Sequence, residues 1–157
     1  MDRQTPMLVI GVGNWYRSDD AVGLVVARKL RAMNLPGILV KEENGEGVAL
    51  MEAWQGKEQV IIVDAASSGS RPGTVHTLDA DSTTIPSAFF HYSSHAFSVA
   101  ESIELARALQ QLPSQLIVYG IEGKNFAAGV GLSTEVEHAS DAVIRQIIDQ
   151  ILISIPE

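Results

Sequence analysis

Short apolar runs alternate with amphipathic stretches along almost the whole chain. Residues 7–12 (MLVIGV) are apolar or small throughout, which predicts a strand buried on both faces, as in a parallel sheet. Ser18 then stands where a helix cap is expected, with Asp19 and Asp20 in the first turn, where the helix dipole favours negative charge. Val22, Val25, Val26, Leu30 and Met33 follow at helical spacing, and Pro36 with Gly37 closes the unit. ILVKEEN (38–44) is a less apolar strand, nearer an edge, and VALMEAWQ (48–55) a short helix ended by Gly56. QVIIVDA (59–65) is the strongest strand pattern, broken by the turn SSGSRPG. TVHTL (74–78) predicts a short strand, and residues 79–94 a long polar and aromatic loop.

The second half repeats the rhythm. A helix is expected from Ala96 to Gln111, with Val99, Ile103, Leu105, Ala106 and Leu109 on its buried side. QLIVYGIE (115–122) is another buried strand, followed by the glycine-rich loop GKNFAAGVG. Thr134 and Glu137 have capping-box spacing for a last helix carrying Val136, Val143, Ile144, Ile147, Ile148, Ile151 and Leu152. Strands separated by helices of this length imply an α/β three-layer sandwich, a mainly parallel twisted sheet flanked by helices on both faces. With no internal repeat or linker, residues 1–157 are expected to form one domain.

Composition narrows the function. The formal net charge is −8, from 11 Lys and Arg against 19 Asp and Glu, and no stretch gathers basic residues, so a nucleic-acid partner is not expected. The absence of cysteine excludes disulfides, thiolate metal sites and a cysteine nucleophile, and fits a reducing, cytoplasmic setting. No apolar run reaches the roughly 18 residues of a membrane span, and no signal-peptide core precedes Gly11.

Three places could carry chemistry. GVGNWYRSDDAVG (11–23) begins like a dinucleotide fingerprint, but Tyr16 stands at the third glycine position, too large for close helix–strand packing. No phosphate-binding G-x-x-x-x-G-K-[ST] loop exists in the chain. Gly11 and Gly13 are therefore read as permitting a tight strand-to-loop turn. Asp19 and Asp20 have a bland role open to them as first-turn helix stabilisers. Asp64 is more pointed: it closes the most apolar strand at its carboxyl end, where open α/β sheets bind ligands. An ionised carboxylate there needs a partner or a cation. His95, ahead of the third predicted helix, could converge with these carboxylates, and Asp, Asp and His would suit nickel, zinc or manganese while leaving open coordination positions. His76 and His91 are weaker candidates, and His138 is expected to face solvent from the last helix.

GVGNWYRSDDAVG, ENGEG (43–47), VIIVDAASSGSRPGTV (60–75), SSHAFSVAESIELA (93–106) and VYGIEGKNFAAGVGLSTEVEHA (118–139) together resemble the hydrogenase maturation protease family, in family order and over nearly the whole chain. The resemblance implies an endopeptidase that trims the C-terminal extension of a nickel-hydrogenase large-subunit precursor after nickel insertion. It places the family's metal-contacting side chains on Asp20, Asp64 and His95, with nickel met in the precursor and other divalent ions possible on the isolated protein. Departures from the family pattern are Ala96, Gly123 and Thr134, which change local loop chemistry and bear on substrate subtype.

Two mechanisms fit this implied role. Asp20, Asp64 and His95 could complete the coordination of the precursor's nickel, which then fixes the scissile bond and polarises its carbonyl or a water. Alternatively, Asp20 and Asp64 act as catalytic aspartates sharing a proton, as in aspartic-type peptidases. Rival functions are a nickel-dependent recognition or chaperone protein without peptidase activity, and a peptidyl-tRNA hydrolase-like hydrolase. The second lacks both an early histidine, since none precedes His76, and a basic face. The free protein is expected to be a monomer without a membrane partner.

Overall fold

A computed structural model describes residues 6–86 and 98–154. Its strands are β1 (Met7–Val12), β2 (Ile38–Glu43), β3 (Gln59–Ala66), β4 (Val75–Asp79) and β5 (Gln115–Glu122). Its α-helices are α1 (Val22–Ala32), α2 (Gly47–Trp54), α3 (Val99–Ala108) and α4 (Thr134–Ser154). The sheet order is β2-β1-β3-β5-β4. All neighbours are parallel except β4, which runs antiparallel to β5 at the edge. The α/β three-layer architecture expected from the sequence is therefore the one observed. The less apolar strand 38–43 does lie at an edge, where alternate residues stay accessible.

Every residue of β1 is buried, and β3 is buried from Val60 onwards, because helices cover both faces of the central strands. On one face α1 and α4 pack Val22, Val26, Leu30, Val136, Val143 and Ile147 against Val9, Ile61, Val63 and Ile121. On the other, α2 and α3 bring Leu50, Trp54, Val99 and Ile103 onto Leu8, Ile10, Ile62 and Val118. Each fully buried aliphatic side chain in these layers contributes about 1.5–3 kcal/mol. Among the described residues, no helix is long and apolar enough to cross a membrane.

Three local expectations are corrected. Ser18 does not cap α1: residues Ser18–Ala21 form a 3-10 turn, Ser18 takes a left-handed backbone (φ 52°), and α1 begins at Val22. Leu105 and Leu109 are 40% and 52% exposed, so the buried stripe of α3 is Val99, Ala100, Ser102, Ile103 and Ala106. The helix is also shorter than 96–111: it ends at Ala108, so Leu109 lies past its last turn. At α4 the register moves by one residue. Glu137 N–H donates to the carbonyl of Ser133, which makes Ser133 the residue before the first turn and places Thr134 inside it.

Candidate active site

The topology creates a crevice before any side chain is considered. From β1 the chain turns to β2 on one side, then crosses to β3 on the other, so connections leave in opposite directions between β1 and β3. Ligand sites form outside the carboxyl ends of such a strand pair. Gly11 of β1 is in register with Val63 of β3, so Asp64 emerges at the mouth of the crevice.

Helix α1 closes on this mouth unusually tightly. A methyl group on Gly23 would collide with the backbone of Val12 and Val63, one on Gly11 with Gly23 and Ala27, and one on Gly13 with the Asp20 carbonyl. Gly11 and Gly13 have no left-handed backbone, so close approach, rather than the tight turn expected of them, is what requires glycine there. Gly23 supplies the helix–strand contact that Tyr16 could not.

Asp20 and Asp64 converge. Asp64 is 6% exposed and accepts the Ala65 N–H at 2.8 Å. Burial, reinforced by the nearby Asp20 charge, holds its carboxyl well above the usual carboxylate range. Burial also raises Asp20, opposed by the Arg17 guanidinium and by the Asn14 backbone N–H. Two carboxyl groups both raised by burial, one of them raised further by the other's charge, present a site suited to a cation or to a shared proton. His95 and His91 lie outside the described residues. His138 is exposed on α4.

His76 sits elsewhere, in a cluster at the end of β5. Glu122 is 3% exposed and accepts from Ser68 Oγ at 2.6 Å and Ser68 N–H at 2.9 Å, with His76 Nε2 at 3.2 Å. These bonds tie the turn after β3 and the edge strand β4 to β5. The sequence signal for Glu122 was the same as for Asp64, an acidic residue closing an apolar strand. Among the described residues no three His, Asp or Glu side chains gather as a metal-binding set.

Asp19 also carries a role that its sequence position concealed. It is fully buried, and its carboxylate accepts from Lys124 N–H (2.8 Å), Asn125 N–H (2.9 Å), Ser133 N–H (2.7 Å) and Ser133 Oγ (2.8 Å). It thus fastens the glycine-rich loop and the start of α4 to the turn that carries Asp20. Asp19 and Asp20 divide the work: one is a clamp, the other faces the crevice. Beside the crevice runs an open groove of about 490 Å³ lined by Gly13, Trp15, Glu42, Glu43 and Asn44. The ENGEG segment shapes it, because the Glu46 carboxylate caps α2 by accepting Val48 and Ala49 N–H at 3.0 Å.

The sequence profile of the hydrogenase maturation proteases matches residues 27–150. The chain belongs to the hydrogenase maturation protease family. Membership places it among the peptidases, and leaves no room for the peptidyl-tRNA hydrolase alternative. A protein of Methanocaldococcus jannaschii, provisionally named a hydrogenase maturation protease, is 30% identical over 158 residues, covering 95% of this chain and 98% of that one. The Escherichia coli hydrogenase 2 maturation protease is 27% identical over 155 residues, covering 96% of this chain and 91% of that protein. In three dimensions, an endopeptidase from Escherichia coli solved in solution superposes with a TM-score of 0.79 at 24% identity, over 92% of this chain and 90% of that one. That likeness shows a shared fold.

Proposed function

We propose that this protease removes the C-terminal extension of a nickel-iron hydrogenase large-subunit precursor after nickel insertion, reading the bound nickel through Asp20, Asp64 and His95. The observation that carries this reading is the convergence of Asp20 and Asp64 at the strand switch point, both pushed towards protonation. One backbone donor to each offsets little of the cost of two charges there, whereas a divalent cation would hold both ionised. The nickel belongs to the precursor, so the protease tests whether the metal has been loaded and aligns the scissile bond beside it. Family membership supplies the peptidase activity; the carboxylate pair supplies a reason for it to depend on metal.

The same pair supports a second mechanism. Because the Asp20 charge raises Asp64, the two could share one proton and activate a water, as aspartic-type peptidases do. Intact-mass spectrometry of nickel-loaded and nickel-free precursor incubated with the protein separates the readings. Loss of one defined C-terminal peptide from the loaded precursor alone supports nickel reading, and His95→Ala should then abolish it. Cleavage of both precursors would favour the shared proton. Cleavage of neither would overturn the endopeptidase reading and leave a recognition role.

A further inference from the structure

Two of the most exposed apolar side chains in the described structure flank the turn that carries Asp20. Tyr16 is 73% exposed and Val130 is 81% exposed. They sit on paired backbones: Gly129 N–H donates to the Tyr16 carbonyl at 2.9 Å, Ser18 N–H donates to the Gly129 carbonyl at 3.0 Å, and Arg17 and Gly129 form a parallel bridge. Single exposed apolar residues are ordinary on a protein surface. This pair differs in how firmly it is held out.

Tyr16 N–H donates to Asn14 Oδ1 at 2.9 Å, Ser18 Oγ donates to the Ala127 carbonyl at 2.8 Å, and Asp19 N–H donates to the Asn125 carbonyl at 3.0 Å. The buried Asp19 carboxylate adds its four bonds to Lys124, Asn125 and Ser133. Val130 itself is bracketed by Gly129 (φ 153°) and Gly131 (φ 106°), backbone conformations that residues with a Cβ rarely adopt. The chain therefore spends a buried carboxylate and two left-handed glycines on a short ridge that presents apolar side chains to water. A contact surface ordered in advance saves the entropy otherwise lost on binding.

We propose that the Tyr16–Val130 ridge is a docking element for the folded large-subunit precursor, seating in an apolar recess beside the precursor's metal-binding segment. The occupant follows from position: Tyr16 and Val130 rise from the two bridged loop segments beside the Asp20 turn, so whatever delivers a metal-bound segment to Asp20 and Asp64 passes against them. This rests on the function proposed above, and the test separates the two.

Binding of nickel-loaded precursor is measured by interferometry alongside cleavage kinetics, for the parent, Tyr16→Ser/Val130→Ser and Tyr16→Phe. The double substitution lies on the surface, and an unchanged Tm confirms folding. Docking predicts that the double variant binds about tenfold or more weakly, with KM raised in step and kcat within about twofold, as for truncated aromatic anchors elsewhere. Tyr16→Phe, which keeps the apolar body, should bind like the parent. A parent that binds but does not cleave, with binding lost in the double variant, keeps the ridge and sinks the endopeptidase reading. Equal binding by parent and double variant overturns the ridge, as does a parent that fails to bind. A concentration-dependent dimer in sedimentation that the double variant abolishes would reassign the ridge to a second copy, and also overturns it.

Discussion

At the scale of single residues, Asp64 is retained against the interest of stability. Its native pKa lies well above that of an unfolded aspartate, about 3.9, because the carboxylate is desolvated and faces Asp20. A raised native pKa means that the native state holds the proton more tightly than the unfolded chain. The associated stability is fully present below the unfolded pKa and is lost as pH rises through the native one. As pH rises above the unfolded pKa, the cost of keeping this carboxyl buried grows, first through holding its proton and then through holding its charge. Asp64→Asn removes it, so the variant should melt higher than the parent at pH 7 and lose that advantage towards pH 4. Each kcal/mol regained is worth about 2–4 °C in a chain of this size. Thermal scans from pH 4 to pH 8 check this, and parallel melting curves for parent and variant would refute it. The same substitution should abolish cleavage, which would locate the stability cost in the site that uses it.

At the scale of elements, the helix–strand joint at Gly23 decides how the crevice closes. Alanine is about 1 kcal/mol better than glycine inside a helix. Here the added methyl would strike the backbone of Val12 and Val63, which cannot rotate away as a side chain could. Overpacking of this kind costs about 1–3 kcal/mol and outweighs the propensity gain. Gly23→Ala should therefore lower the urea midpoint and shift α1 outwards, separating Asp20 from Asp64 and lowering activity even where the protein is folded. A raised midpoint would show that the joint has slack. This contact also marks the limit of what the sequence disclosed. Strand and helix order, the edge position of residues 38–43 and the position of Asp64 near the carboxyl end of β3 were legible, because burial on two faces writes itself as apolar runs. The clamp at Asp19 and the one-residue shift at Ser133 were not. The clamp depends on hydrogen bonds between segments more than a hundred residues apart, which no local pattern encodes, and the same bonds occupy Ser133 at the start of α4. Leu105 and Leu109 misled for the related reason that periodicity marks a stripe without saying how wide the partner surface is.

At the scale of the whole molecule, a formal net charge of −8 means that any divalent cation will stabilise the chain somewhat by screening, and a specific site must be told apart from that background. The proposed site has a signature that screening lacks, because protons must leave Asp20 and Asp64 before a cation can take their place. Nickel added to the isolated protein should raise its Tm more than magnesium at equal concentration, and the difference should grow from pH 5 to pH 8 as that competition fades. At a hundredfold excess over Kd the stabilisation is about 2.7 kcal/mol, or roughly 5–10 °C for a chain of this size. Asp20→Asn and Asp64→Asn should each erase the nickel-specific part and leave the screening part, since the remaining acidic groups of the chain are untouched. A nickel effect that survives both substitutions would place the ion elsewhere on the acidic surface. One that vanishes with either would show that the turn carrying Asp20 and the end of β3 carrying Asp64 act as a single cation site.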